Sequence, residues 1–132
     1  MTQPFEKVAI LGLGLIGSSI SHAIRAYGGA KRISGHAKSA DTLRIAADLK
    51  LADTLHASPA DAVKGADLII LCAPVGVCGA LAEAIQHAVE PGAIITDVGS
   101  VKGAIVRDVG PHVPAHAHFI PGHPIAGTEQ SG

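Results

Sequence analysis

A glycine-rich loop, GLGLIG, constrains the fold more than any other part of the sequence. It follows the apolar run KVAILG at residues 7–12, which is typical of a strand buried on both faces. After the loop, apolar residues recur at three- and four-residue spacing from Leu15 to Tyr27, and two glycines then end the pattern. This spacing predicts a helix. A strand, a tight turn and a helix in this order begin a βαβ unit.

Each glycine of the loop has its own physical role in such a turn. The first permits the tight turn, the second lets the backbone approach a pyrophosphate, and the third lets the helix pack closely on the strand. The helix N-terminus adds free N–H donors and the positive end of the helix dipole. We therefore predict a dinucleotide site, with contacts from the loop residues Gly12, Gly14, Leu15, Ile16 and Gly17.

Strand and helix patterns alternate along the rest of the chain. Four further strands are predicted at residues 31–35, 67–72, 93–99 and 118–121. Helices are predicted after an N-cap at Ser39, from Pro59, and over residues 77–89 and 101–109. Short loops between alternating elements indicate right-handed βαβ units. We predict an α/β chain of the Rossmann type, a doubly wound and mainly parallel sheet with helices on both faces, as a single domain over residues 1–132.

The composition indicates that the expected binding partner is a small molecule. The 10 Lys and Arg residues balance 11 Asp and Glu residues, and neither sign forms a run, which argues against nucleic acid and membrane surfaces. The apolar stretches are broken well before the roughly 20 residues of a membrane span, and the N-terminus lacks the apolar core of a signal peptide. Cys72 and Cys78 suit buried thiols in a reducing cytosol better than a disulfide or a metal site. The prediction is a cytoplasmic protein without a metal.

The stretch that follows the second strand bears on the choice of dinucleotide. Sites that prefer NAD usually carry Asp or Glu about 20 residues past the glycine loop, where the carboxylate binds the ribose hydroxyls. Here that position is Ala37, and Lys38 and Ser39 stand beside it at a helix N-terminus, a combination suited to a 2′-phosphate. This favours NADP and leaves NAD open. His36, Lys38 and Ser39 are predicted cofactor contacts.

The loops after the later strands carry the remaining candidates. Ala73, Pro74 and Val75 follow the strand at 67–72 and are predicted to line the dinucleotide, because ligands of parallel sheets sit beyond the carboxyl ends of the strands. The loop DVGSVKG places Ser100 near the nicotinamide end. His123 follows the last strand, and an imidazole can accept the proton of a hydroxyl while hydride leaves the carbon.

Four segments, GLGLIGSS, LCAPV, DVGSVKG and GHPIAGTEQSG, together resemble the nucleotide-binding half of the prephenate/arogenate dehydrogenase family of tyrosine biosynthesis. The resemblance spans essentially the whole chain, and its last two motifs are the specific ones. It implies that His123 is the catalytic residue, hydrogen-bonded to the ring hydroxyl of the substrate. It also implies that Ser100 positions substrate and nicotinamide, and that Thr128 and Glu129 border the substrate pocket.

The implied reaction is the oxidative decarboxylation of a cyclohexadienyl ring, with prephenate and arogenate both open as substrates. Members of the family continue into an all-helical domain that dimerises and binds the substrate carboxylates, and this chain ends where that domain would begin. The expectation is therefore a fragment or truncated product of an enzyme that forms a homodimer. Two alternatives stay open: a stand-alone nucleotide-sensing module without chemistry, and another dehydrogenase, such as a 3-hydroxyacid dehydrogenase or an imine reductase.

Overall fold

Six parallel strands form one sheet in the order β3-β2-β1-β4-β5-β6 in the computed structural model, which describes residues 5–98 and 102–120. The strands are β1 Phe5–Leu11, β2 Ala30–His36, β3 Thr54–His56, β4 Leu68–Leu71, β5 Ile94–Asp97 and β6 His118–Phe119. The helices are α1 Leu15–Tyr27, α2 Ala40–Asp48, α3 Pro59–Val63, α4 Val75–Ile85 and α5 Lys102–Val109, with a 3-10 turn at Gly110–His112. The predicted α/β doubly wound class is confirmed.

The alternation of side chains along β1 explains why the sheet has a core on each face. Val8 and Ile10 pack into one buried cluster with Ile33 of β2 and with residues of α1 and α2. Ala9 and Leu11 pack into the other cluster with residues of α3, α4 and α5. A strand covered on both faces reads as a continuous apolar run, which is the pattern of KVAILG.

Capping residues set the helix boundaries that position the loops. The Ser39 side chain accepts a hydrogen bond from the Thr42 backbone N–H and begins α2, as predicted, and Ser58 caps α3 in the same way. At the end of α1, Gly28 adopts a left-handed conformation with φ of 66°, which is favourable for glycine.

The largest differences from the sequence predictions concern two elements, and Ala93, Val98 and Ile120 also lie outside the strands predicted to contain them. β3 was not predicted, because a three-residue edge strand of Thr54, Leu55 and His56 has too few residues to show an alternating pattern. Helix α4 begins two residues earlier and ends four residues earlier than the predicted range 77–89. The Ala88 N–H bonds the Ile85 carbonyl in a turn, yet Val89 stays buried, so the apolar pattern outlasts the helix.

No helix within residues 5–98 and 102–120 combines the length and the apolar character that a membrane crossing needs.

Candidate functional site

The chain first adds β2 and β3 on one side of β1 and then adds β4, β5 and β6 on the other side. The loops that follow β1 and β4 lie side by side. The chain passes from β1 through α1 to β2 on one side of the sheet, and from β3 through α3 to β4 on the other. The Cys72 N–H donates to the Leu11 carbonyl at 2.8 Å, which ties the two loops together. In open parallel sheets, a ligand crevice forms at such a switch point.

A cavity of about 560 Å³ occupies this position. Its wall is built from the glycine loop, the segment after β2, the start of α3 and the segment from the end of β4 into α4: Gly12, Leu13, Gly14, His36, Ala37, Lys38, Ser39, Thr42, Ala57, Pro59, Cys72, Ala73, Pro74, Val77 and Leu81. We call this cavity the switch-point cleft. Among the described residues of this wall, Lys38 carries a positive charge and none is acidic.

The three loop glycines occupy different environments. Gly12 has φ of 109°, and a Cβ there would lie 2.9 Å from the Ala73 nitrogen, so both conformation and space require glycine. A Cβ on Gly17 would overlap the Gly12 carbonyl oxygen, so the first turn of α1 packs directly on the loop. A Cβ on Gly14 would meet nothing within 4 Å, which leaves open space in front of the helix N-terminus.

This arrangement fits an anionic ligand in the cleft. Gly14 is the N-cap of α1 and makes no side-chain capping bond, and the first turn of α1 contains no acidic residue. The first N–H groups of a helix lack partners within the helix, and they carry the positive end of its dipole. The residues present therefore suit a dinucleotide whose pyrophosphate lies against the N-terminus of α1.

The segment that follows β2, which the sequence predicts to bind the ribose, lines the cleft. Ala37 is buried with 5% exposure, while Lys38 and Ser39 are exposed at its side. The Ser39 hydroxyl accepts from Thr42 at 3.4 Å, and its proton is still available to donate. The structure thus places an apolar methyl group where a carboxylate would stand, next to one cation and one hydroxyl.

Cys72 also lines the cleft, and it stays a neutral thiol. Burial, together with the nearby Cys78, raises the pKa of Cys72 to about 12. The buried Cys78 thiol donates to the Ala73 carbonyl at 3.5 Å, and neither cysteine forms a disulfide. A thiol with such a pKa is a poor nucleophile at neutral pH, so Cys72 serves as part of the wall.

The structure brings many of the predicted site residues together at one edge of the sheet. The switch-point cleft contains Gly12, Gly14, His36, Lys38, Ser39, Ala73 and Pro74. Leu15 and Ile16 form the first turn of α1, Gly17 packs on Gly12, and Val75 begins α4. The predicted residues Ser100, His123, Thr128 and Glu129 lie outside the described residues. Sequence reasoning missed Ala57 and Pro59, which enter the wall because the unpredicted strand β3 delivers them there.

A second cavity, of about 590 Å³, lies among Arg25, Lys50, Asp53 and neighbouring residues at the ends of α1 and α2. None of the predicted site residues that the structure describes lines it. Its slightly larger volume does not make it the better candidate, because the glycine loop and the ends of β1, β2 and β4 converge on the switch-point cleft.

Comparison with known proteins agrees with the geometry of the cleft. Residues 20–132 match the family described as prephenate dehydrogenase, nucleotide-binding domain. The chain is 41% identical over 128 residues to cyclohexadienyl dehydrogenase of Zymomonas mobilis, and the match covers 97% of this chain and 43% of that protein. The chain therefore spans about two fifths of the length of this relative.

Solved structures show the same similarity. The crystal structure of prephenate dehydrogenase from A. aeolicus in complex with hydroxyphenyl propionate and NAD+ is similar with a TM-score of 0.81 and 30% identity, over 92% of this chain and 42% of that one. Synechocystis arogenate dehydrogenase is similar with a TM-score of 0.78 and 31% identity, over 89% of this chain and 40% of that one.

Proposed function

From the premise that the chain belongs to the family of prephenate dehydrogenase nucleotide-binding domains, we propose that it binds NAD(P) in an enzyme that oxidatively decarboxylates prephenate or arogenate. The observation that carries the proposal is the switch-point cleft, with Gly14 open in front of α1 and no acidic residue among the described residues of its lining. The relatives named cyclohexadienyl, prephenate and arogenate dehydrogenase support the substrate class.

In the proposed reaction, each part of the chain has a separate role. The glycine loop and α1 hold the pyrophosphate, and Ala73, Pro74 and Val75 border the rest of the cofactor. The nicotinamide that these residues would hold would supply the acceptor for the hydride of the ring carbon that carries the hydroxyl. His123 takes the hydroxyl proton, Ser100 positions the substrate, and Thr128 and Glu129 border its pocket. Loss of the ring carboxylate as CO2 then yields an aromatic product.

A variant of His123 tests the catalytic assignment. In a protein that includes the helical domain of the family, we expect His123→Asn to lower kcat by about 10²- to 10⁴-fold, because general base catalysis is lost. Cofactor affinity should stay nearly unchanged. Steady-state kinetics and a cofactor titration measure the two effects, with His118→Asn as the matched control. Unchanged turnover in His123→Asn would refute the assignment.

The finer part of the proposal is a preference for NADP over NAD. Ala37 offers no carboxylate to the ribose hydroxyls, and Lys38 and Ser39 offer a cation and a hydroxyl to a 2′-phosphate. Calorimetric titration of the chain with both cofactors tests this preference. Tighter binding of NADP is expected, and tenfold tighter binding of NAD would overturn it.

Ala37→Asp provides a second test of the same preference. A carboxylate at this position repels the 2′-phosphate and accepts bonds from the ribose hydroxyls, so NADP affinity should fall at least tenfold, about 1.4 kcal/mol, while NAD affinity rises. Ala40→Asp is the control, since Ala40 is exposed on α2 and does not line the cleft. Equal effects of the two variants would mean that only net charge matters.

The proposal includes a homodimer, formed through the helical domain that members of the family carry. It also includes a cytosolic location, in keeping with two cysteines that form no disulfide. On this reading the 132-residue chain by itself is monomeric. Light scattering at micromolar concentration tests this expectation, and a stable dimer of the chain would place the dimer contact on the nucleotide-binding domain instead.

A further inference from the structure

His36, the last residue of β2, lines the cleft next to Ala37, the position that lacks the carboxylate typical of NAD sites. Its main-chain carbonyl accepts the Gly12 N–H at 2.8 Å, which joins it to the glycine loop. Its Nδ1 lies 3.1 Å from the carbonyl oxygen of His56 on β3. The residue is only 6% exposed and lines the switch-point cleft. His36 is thus fixed through both its backbone and its side chain.

The His56 carbonyl determines which tautomer the ring adopts. A carbonyl oxygen only accepts hydrogen bonds, so Nδ1 must carry the proton. In the neutral ring, Nε2 is then an acceptor. Among the described residues no buried side-chain nitrogen or oxygen is without a partner, and Nε2 makes no hydrogen bond to them, so Nε2 is accessible to solvent in a residue that lines the cleft. Protonation turns this acceptor into a charged donor.

The surroundings of the ring favour its neutral form in the free protein. Burial lowers the pKa of His36 below its ordinary value of 6.5; the bond to the His56 carbonyl opposes this shift, and the charge of the His56 ring adds to it. The titratable groups near the ring are His56 on β3 and, in the cleft wall, Lys38 and Cys72. Asp61 lies on α3, whose first residue Pro59 lines the cleft, and it is paired with Lys64.

We infer that His36 contacts the adenosine ribose and makes the relative affinity for NADP and NAD depend on pH. This inference rests on the proposed dinucleotide site. The neutral ring accepts a hydrogen bond from a ribose hydroxyl and so takes over the part of the absent carboxylate. The unprotonated oxygens of a 2′-phosphate only accept hydrogen bonds, so binding through these oxygens requires the protonated ring, with Nε2–H as donor. Acidic pH favours NADP, and alkaline pH favours NAD.

The adenosine fragments 2′,5′-ADP and 5′-AMP isolate this effect from the nicotinamide end. For the unmodified chain we expect the ratio of 2′,5′-ADP affinity to 5′-AMP affinity to fall about tenfold from pH 5 to pH 8, as one charge-assisted bond is lost. The phosphate itself becomes dianionic above about pH 6 and then binds Lys38 better. Its own titration therefore acts in the opposite direction and cannot mimic the expected fall.

His36→Asn is the decisive variant, because an Asn amide can still donate to the His56 carbonyl but places no titrating group in the cleft. We expect the fall to disappear in His36→Asn and to persist in His87→Asn, the matched change at an exposed histidine outside the cleft. The same pH profile in His36→Asn and the unmodified chain would overturn the inference while leaving dinucleotide binding intact. Failure of both fragments and both dinucleotides to bind at any pH would overturn the proposed function with it.

A measurement on the unmodified chain covers the case in which His36→Asn does not fold. In an NMR titration with assigned imidazole resonances, saturating 2′,5′-ADP should raise the pKa of His36, and 5′-AMP should leave it unchanged or lower it. A pKa that responds equally to both fragments would contradict the inference, since a residue with only a structural role does not distinguish a phosphate from a hydroxyl.

Discussion

Asp53, the residue that precedes β3, connects two elements through both of its carboxylate oxygens. One oxygen accepts the Ile33 backbone N–H of β2 at 2.8 Å, and the other accepts from the Arg25 guanidinium of α1 at 3.0 Å. Burial acts to raise the pKa of Asp53, but the hydrogen bond from Ile33 and the charge of Arg25 outweigh it, so the pKa lies below its ordinary value of 3.8. The ionised form is the one that stabilises the fold.

This shift predicts how the stability of an Asp53 variant depends on pH. A folded-state pKa below the unfolded value means that the contribution is complete above about pH 4 and is lost as the pH falls through the folded value. We expect Asp53→Asn to cost about 1 kcal/mol at pH 7, because the side chain is 40% exposed and water screens the pair. Urea unfolding at pH 7 and pH 3 measures the difference, which should shrink at pH 3.

Asp41→Asn serves as the control, since Asp41 forms an exposed pair with Arg44 three residues away. Its effect should stay within a few tenths of a kcal/mol. A loss in Asp53→Asn that is equal at pH 7 and pH 3 would show that the carboxylate charge is not what stabilises this junction.

At the scale of elements, the turn from β1 into α1 contains one glycine that is needed for folding and another that borders the ligand space. The third glycine, Gly17, faces the Gly12 carbonyl, whereas the second, Gly14, faces open space. The two positions lie three residues apart in one motif, yet an added methyl group meets backbone at one and the ligand space at the other. The sequence analysis gives these two glycines separate roles, and the structure shows the close packing at Gly17 and the open space at Gly14.

This difference predicts opposite outcomes for the same substitution. Gly17→Ala should destabilise the chain by roughly 1–3 kcal/mol, since overpacking outweighs the better helix propensity of alanine. Gly14→Ala should leave the free energy of unfolding nearly unchanged and lower NAD(P) affinity. Urea unfolding and calorimetric titration measure the pair. A stable Gly17→Ala chain, or unchanged binding in Gly14→Ala, would contradict the roles assigned to these glycines.

The errors in the elements predicted from the sequence have a common physical cause. Apolar periodicity reports which residues are buried, and it does so correctly up to Val89. It does not report where backbone hydrogen bonds change from helix to turn, which happens after Ile85. β3 is short and lies at an edge, where Ser34, Gly35 and His36 of β2 pair with it through backbone bonds that a residue pattern does not reveal.

At the scale of the whole molecule, the cleft is assembled from segments that are far apart in the sequence, so its occupation should stabilise the entire fold. A ligand that binds only the folded chain adds about 2.7 kcal/mol at a concentration 100-fold above its Kd. For a chain of 132 residues we expect Tm to rise by roughly 3 °C per kcal/mol. Thermal unfolding with the preferred dinucleotide measures the rise.

Inorganic phosphate at equal ionic strength is the control for this experiment, because it offers charge without the adenosine and pyrophosphate groups. It should raise Tm much less than the dinucleotide. Equal rises for both ligands would indicate general anion binding in place of a dinucleotide site.

The sequence by itself determined the α/β class, the glycine turn, the order of most elements and the identity of the residues after β1, β2 and β4. These features are local, since each depends on neighbouring residues in one strand, turn or helix. The same local reasoning led to Ala37 as the position without a carboxylate, which the structure then places in the cleft wall.

Only the tertiary structure decided the relations across the sheet. It showed that the Gly12 N–H bonds the His36 carbonyl, that His56 orients the His36 ring, and that Ala57 and Pro59 complete the wall. His36 and His56 are 20 residues apart, and they meet because β2 and β3 pair in parallel register. Such contacts depend on the strand order, and no local residue pattern encodes it.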